Sequence, residues 1–307
     1  MNERKIIWLL SSEGILDQSG NLIPDTPFGE SSVIAGGVGQ DCLAVIVDSH
    51  DVWTFVSGTW QQITSADVSL NCLCWTADNR LLVGTEGARL AWAANGDLHF
   101  IDVFDSIAER EFWKTPWGGP PDVRSLAVAT DGTIYANIHV GWIACSRDAG
   151  GTWQALREGL EMDVHQVATH LSNPSQVIAA TASGFYLSDD YGHTFICQSD
   201  GMSYHYQRAC ACFADEDIYL VSTSRGPHGR AESQLFRSEN AGRDWGLVEG
   251  LPENIDKNID TFQIIIVDGG CALVIIEDTI LYETNDWGMT WNKVGENYPR
   301  LFGALVL

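Results

Sequence analysis

The sequence predicts an all-β protein, a seven-bladed β-propeller of four-stranded antiparallel blades whose ring is closed by the C-terminal strand pairing with N-terminal strands. Three observations predict it. One turn motif recurs four times, at Ser146–Trp153, Ser188–Phe195, Ser238–Trp245 and Thr284–Trp291, with its copies 42, 50 and 46 residues apart, the spacing of one four-stranded blade per copy. Short runs of alternating apolar residues, bounded by turn residues, surround each copy. The 307 residues shared among seven blades leave about 44 each, within the propeller range.

The motif has a structural task. A hydroxyl at its first position and an Asp or Asn at its third (Asp148, Asp190, Asn240, Asp286) can accept hydrogen bonds from the backbone N–H groups of a tight turn. Glycine follows two residues later (Gly150, Gly192, Gly242, Gly288), where the chain needs a positive φ. The closing aromatic (Trp153, Phe195, Trp245, Trp291) opens the returning strand and offers a large apolar face for packing.

The pattern Ser/Thr-x-Asp-x-Gly-x-Thr-Trp resembles the Asp-box of the bacterial-neuraminidase-repeat propellers, which include sialidases, xyloglucan hydrolases, sortilin-type receptors and photosystem II assembly-factor-like proteins. The copies at 146 and 284 match best, and the copy at 238 departs at Asn240 and Asp244. The runs His139-Val140-Gly141, Asp163-Val164-His165-Gln166 and Asn258-Ile259-Asp260-Thr261 are similar to a sialidase-like or assembly-factor-like bacterial branch. The resemblance implies the propeller fold and no set activity.

Reading outward from the motifs gives the blades in order. Arg124–Ala129, Thr133–Val140, Trp142–Arg147 and Thr152–Leu156 form one cycle from the channel to the rim, so a blade spans 122–157. The cycle repeats over 164–198, 206–248 and 260–294. Upstream it continues without intact boxes through 32–63, which carries the turn remnant Gly58-Thr59-Trp60, and 67–104, which turns at Asn95-Gly96-Asp97. The seventh blade combines 301–307 with 5–24, drawing strands from Lys5–Leu10, Gly14–Leu16 and Asn21–Ile23. This removes the exposed sheet edges of an open ring, and residues 1–307 form a single domain.

Composition fits a soluble repeat protein. Hydrophobic residues make up 45% of the chain, enough to fill a large core, and the 12 tryptophans find their place between blades. The formal net charge of −24 repels phosphate backbones and anionic membranes, which argues against nucleic acid or a membrane as partner. Ile6–Leu10 is too short for a secretory segment and is needed as a strand, so the expected location is cytoplasmic. The pairs Cys72/Cys74 and Cys210/Cys212 alternate along inner strands, the place of small apolar side chains, and lack the spacing of zinc knuckles.

A functional face is expected where inter-blade connections and second-to-third-strand loops crowd the channel mouth. Two insertions reach it: Asp105–Pro121, with Phe112, Trp113 and Trp117, and Ser224–Ser233, with Arg225, His228 and Arg230. Asn71, Arg124, His165, Gln207 and Thr261 come at equivalent heights on the inner strands, with Gln166, Arg208 and Asp260 one step along. The ligand-binding candidates are accordingly His139, His165, Tyr206, Arg208, Asp260, Arg124, Trp113 and Trp117. No cofactor is expected. A divalent metal is the alternative, with His139, His165, His205 and His228 as candidate ligands beside Asp163 and Asp260.

The enzyme signatures are incomplete. Arg124, Arg208 and Arg300 could imitate a sialidase arginine triad, with Tyr206 and Glu161 or Asp163 as the other groups, but the Arg-Ile-Pro run of that family is absent. Asp163, His165 and Asp260 are the candidate catalytic groups, Asp163 with Asp260 being the one carboxylate pair a glycosidase could use. The sequence reads as a monomeric binding or scaffold module for a small molecule, glycan or protein segment. The alternative is a glycoside hydrolase-like or lyase enzyme using the same face, metal-assisted or not.

Overall fold

A computed structural model describes residues 5–214, 216–253, 255–257 and 262–307. Seven antiparallel sheets follow one another around a channel. The second to seventh blades are four-stranded and run in simple meander order from channel to rim. Their innermost strands are Val33–Val38, Leu70–Trp75, Val123–Val128, Val164–Thr169, Tyr206–Cys212 and Gln263–Asp268.

The first blade joins the two ends of the chain. Leu301–Val306 lies innermost and pairs with Ile7–Ser11, in a register from Ile7 opposite Val306 to Leu10 opposite Gly303. Gly14–Leu16 is the third strand. The expected strand Asn21–Ile23 shrinks to an isolated bridge between Leu16 and Leu22. Asp17 explains the shortening: its carboxylate accepts the N–H groups of Ser19 and Asn21 and curls the chain, and Pro24 then has no N–H to extend the ladder.

Each of the four turn motifs forms the same hydrogen-bonded staple. Ser146 Oγ donates to Asp148 and accepts from the Gly150 N–H, while the Thr152 N–H and hydroxyl donate to the two carboxylate oxygens of Asp148 at 2.8 and 2.7 Å. Ser188/Asp190/Thr194 and Thr284/Asp286/Thr290 repeat the set. The divergent copy exchanges its chemistry rather than losing it: Asn240 Nδ2 donates to Asp244, reversing donor and acceptor across the turn. The second and third blades close their outer hairpins with two-residue turns of paired positive φ, at Ser57-Gly58 and Asn95-Gly96.

Neighbouring blades are tied on the staple face. Arg80, Arg147 and Arg237 each donate to a carbonyl in the next staple, those of Ala149, Tyr191 and Trp287. On the inner strands the ties are side chain to backbone: Ser125 Oγ accepts the Val167 N–H, and Gln166 Oε1 accepts the Cys210 N–H. The apolar cores lie between adjacent sheets, and Leu301 and Leu305, 1% and 2% exposed, carry packing across the closure.

All eight cysteines are free thiols. Cys72 and Cys212 donate to carbonyls of neighbouring blades, those of Val123 and Thr169, and burial pushes the Cys74 and Cys212 thiols up to about 12 and Cys145 to about 11. Cys197 is exposed. Alkylation of the native protein followed by peptide mass spectrometry is expected to mark Cys197 first and to leave Cys145, Cys210 and Cys212 unmodified until denaturation. Early labelling of the buried thiols would contradict this packing.

Candidate functional site

The inner strands share a device that projects side chains from the ladder. In five consecutive blades the register slips near the start of the innermost strand, leaving Ile34, Asn71, Arg124 and His165 as extra residues and setting Arg208 and Ala209 against the single Ser222. A bulge releases its residue from the pleat and re-aims its side chain. Four polar side chains, Asn71, Arg124, His165 and Arg208, therefore occupy bulge positions around the ring.

Arg124, His165 and Arg208 meet at a cavity of about 240 Å³, completed by Ser125, Gln166, Phe262 and Gln263. The central channel, about 390 Å³, shares Arg124 and also takes in Asn71, Asp278 and Arg300. A larger cavity, about 520 Å³, lies elsewhere, between Gln18–Gly20 and residues 294–299. Its ionisable groups include Glu283 and Glu296, and none of the expected site residues reaches it.

Beside the arginine-lined cavity, His139, Asp163 and His165 converge, with one potential ligand atom from each lying within 4.8 Å of the others. His139 sits in the hairpin between Ile134–Ile138 and Ile143–Ser146, Asp163 just precedes the inner strand of the next blade, and His165 is that strand's bulge residue. The hairpin tip is strained: Val140 and Trp142 hold φ of 48° and 62°, rare values for a β-branched and a bulky residue. It is held by the His139 N–H on the Asp122 carbonyl and the Trp142 N–H on the Met162 carbonyl. Gly141 lies so close to Ile138 and Trp113 that a Cβ there would come within 2.5 Å of Ile138. Asp163 is positioned through its backbone, its carbonyl accepting the Ala182 N–H.

Asp163 Oδ1 lies 3.3 Å from His165 Nε2 and 3.7 Å from His139 Nε2. Nδ1 of His165 makes a short hydrogen bond to the Gln207 carbonyl. Both imidazoles are almost fully buried, while the Asp163 side chain is 20% exposed. Burial pushes His139 down to about 4, helped by the positive charge of Arg124 and opposed by Asp163. Burial also lowers His165, against the pull of Asp163. Burial alone would raise Asp163, but the imidazole of His165, then His139 and Arg124, hold it below the usual carboxylate range.

Aromatic rings wall this cluster. The Trp117 ring lies 5.3 Å from that of His139, and Tyr206 lies 4.9 Å from His165, with the Arg208 guanidinium over Tyr206. Trp117 is 72% exposed. Trp113 is 7% exposed and packs on Phe104, which in turn meets Trp153, so it fills a blade seam and has no face for a ligand. The insertion thus divides: a helix at Asp102–Asp105 and a 3₁₀ turn at Ala108–Phe112 cover the seam, pinned by Arg110 on the Gly87 and Ala88 carbonyls, and only the later part reaches the site.

Other expected site residues stand apart. His205 and His228 are exposed and do not belong to the donor cluster among the described residues. Arg225 pairs with Glu232 at 2.9 Å, which also accepts the Tyr204 hydroxyl, so this part of the 224–233 insertion is tied to its own hairpin. Asp260 and Thr261 lie outside the described residues, and so does one member of the Asp163–Asp260 pair of the glycosidase reading. Sequence reasoning missed Asp122 and the Gln207 carbonyl, which act through backbone oxygens that no side-chain pattern reveals.

No family model matches the chain. Vacuolar protein sorting/targeting protein 10 of Verticillium alfalfae is 28% identical over 81 residues, which is 26% of this chain and only 5% of that relative's length. Among solved structures, YCF48 bound to D1 peptide superposes with a TM-score of 0.61 at 11% identity, over 89% of this chain and 87% of that one. YCF48 from Cyanidioschyzon merolae gives 0.56 at 13% identity, over 86% and 84%. An ancestral GH74 enzyme gives 0.64 at 15% identity, covering 95% of this chain and 40% of the enzyme chain. Among the described residues no helix is long and apolar enough to cross a membrane. At these identities the likeness is one of fold: the chain is a seven-bladed β-propeller, six of its blades four-stranded, similar to YCF48 and to a GH74 enzyme.

Proposed function

We propose that this propeller is a binding module of the Asp-box type that takes a protein segment at the channel mouth, with a carboxylate of that segment held between Arg124 and Arg208. The observation that carries the reading is the cavity of about 240 Å³ in which two arginines converge with Gln166 and Gln263 on a chain of net charge −24. On so acidic a protein a paired guanidinium site is selective: the general field repels anions, and a ligand that places its carboxylate in the cavity meets two guanidinium groups, which also have partners within the protein. Trp117 and Tyr206, beside the same mouth, supply flat apolar surface for neighbouring residues of the segment. YCF48, similar in fold, is a protein seen bound to D1 peptide, which favours a protein segment as the ligand.

The test is affinity selection from a mixture of short peptides offered with free and with amidated C-termini. Free-acid peptides are expected to be retained by the wild-type protein, and Arg124→Gln with Arg208→Gln to weaken retention about ten-fold or more, since a hydrogen bond to a charged group contributes about 1.5–3 kcal/mol. Equal retention of amidated peptides, or undiminished retention by the doubly substituted protein, would overturn the carboxylate reading.

A further inference from the structure

We propose that His139, Asp163 and His165 form a binding site for a first-row divalent transition metal, of which zinc(II) is the working probe. The site adjoins the cavity of the peptide reading and shares His165 with its wall, but its three donors are groups other than the two arginines, and it is tested apart from that reading.

His165 is held in one tautomer. A carbonyl oxygen only accepts, so the Nδ1 contact with Gln207 fixes the proton on Nδ1 and leaves Nε2, in the neutral ring, with a lone pair. Asp163 Oδ1, also an acceptor, lies 3.3 Å from that nitrogen. Both atoms are buried, and their one contact with each other is too poorly aligned for a good hydrogen bond, weak even when His165 Nε2 carries a proton. Two buried acceptors this close need a positive centre beside them, supplied either by a proton on His165 Nε2 or by a bound cation that both atoms hold. His139 Nε2 approaches the same carboxylate oxygen at 3.7 Å, so the centre has a third donor. Donors bonded at roughly 2.0–2.2 Å around a tetrahedral ion sit about 3.3–3.6 Å apart, close to the two separations found.

The surroundings match a metal site at His165, while His139 Nδ1 is buried without an outer partner and that ring is held by its backbone instead. The Gln207 carbonyl is the outer partner that orients a ligating imidazole, and the strained Val140–Trp142 tip fixes His139 before any ion arrives. Two imidazoles with one carboxylate select transition ions over magnesium or calcium. Three protein donors leave a coordination position open, and the 20% exposure of the Asp163 side chain shows that solvent reaches the cluster. Arg124 and Arg208 oppose a cation nearby, and the Asp163 charge and the overall acidity of the chain offset them.

The experiment uses the full chain, stripped with chelator and then titrated with zinc(II) against a chromophoric competitor, with cobalt(II) as a spectroscopic substitute. The expected result is one equivalent bound, with a cobalt d–d spectrum of nitrogen and oxygen ligands and no thiolate charge-transfer band. His165→Ala is expected to weaken zinc by more than the roughly 100-fold that outer partners can account for. Asp163→Asn, nearly isosteric, gives the same direction if His165→Ala fails to fold, as judged by circular dichroism. Absence of zinc uptake, uptake unchanged in both variants, or a thiolate-type cobalt spectrum overturns the proposal. So does an imidazolium–carboxylate pair whose imidazole nitrogen NMR shifts ignore added zinc. Peptide retention measured on the stripped protein keeps this outcome distinct from that of the arginine cavity.

Discussion

Removal of the last seven residues, Leu301–Leu307, is expected to abolish the cooperative thermal transition and to send the protein into aggregates. That strand is the innermost of the first blade and pairs along its length with Ile7–Ser11. Its side chains also serve two different interfaces. Leu301 packs with Leu9, Leu273 and Tyr298 toward the seventh blade, whereas Leu305 packs with Leu10, Val33 and Leu43 toward the second. Each fully buried leucine contributes about 1.5–3 kcal/mol, and losing both together with a ladder of backbone hydrogen bonds consumes most of a domain's typical 5–15 kcal/mol. The exposed flank of Ile7–Ser11 would then be an open edge of the kind that pairs with other chains. Circular dichroism melting with size-exclusion chromatography decides the matter. A monomeric truncated protein with an unshifted midpoint would show that closure is dispensable. Leu305→Asp, which keeps the chain length, is expected to lower the midpoint in the same direction.

The second large effect concerns Gly159 and Gly250, which occupy equivalent places after the outer strands of their blades. In both, the preceding glutamate carbonyl accepts the N–H of the next blade's closing aromatic: Glu158 from Phe195, and Glu249 from Trp291. The chain passes so close that a Cβ on either glycine would lie 2.2 Å from the carbonyl oxygen of that aromatic, at φ of 72° and 86°. Backbone cannot yield as a side chain does, so Gly159→Ala is expected to cost about 3 kcal/mol, combining left-handed strain with overpacking. Gly58→Ala isolates the first component, because Gly58 shares the positive φ of 80° but has nothing within 4 Å. It is expected to cost about 1 kcal/mol. Denaturant titrations giving equal losses at Gly58 and Gly159 would mean that the close approach between blades is relieved by movement of the whole sheet.

The architecture was legible because its determinants are local. Ser146, Asp148 and Gly150 close a turn within a few residues, and four such turns at blade spacing leave little choice of fold. The site was legible only in pieces. His139, Asp163 and His165 could be named as candidates, but their convergence depends on a strained hairpin tip in one blade and a register slip in the next, neither of which is written in residue type. The same slip explains why Arg208 stands level with His165, although counting along the strands puts it one step away. Trp113 and Trp117 look alike in sequence, four residues apart on one insertion. One was drawn into the seam by Phe104 and the other left beside His139, a distinction made by tertiary packing alone. His205 and His228 seemed equivalent to the other histidines only while the height of each loop was unknown.

The recurring bulge separates what holds the ring from what the ring presents. At Ile34, Asn71, Arg124 and His165 the side chain stands at a point where the ladder skips a residue, so substitution there breaks no paired register. These positions behave as numbered sockets on a fixed bezel, filled now by a hydrocarbon, an amide, a guanidinium and an imidazole in turn. Recognition could be rewritten one socket at a time while the staples on the opposite face kept the frame unchanged.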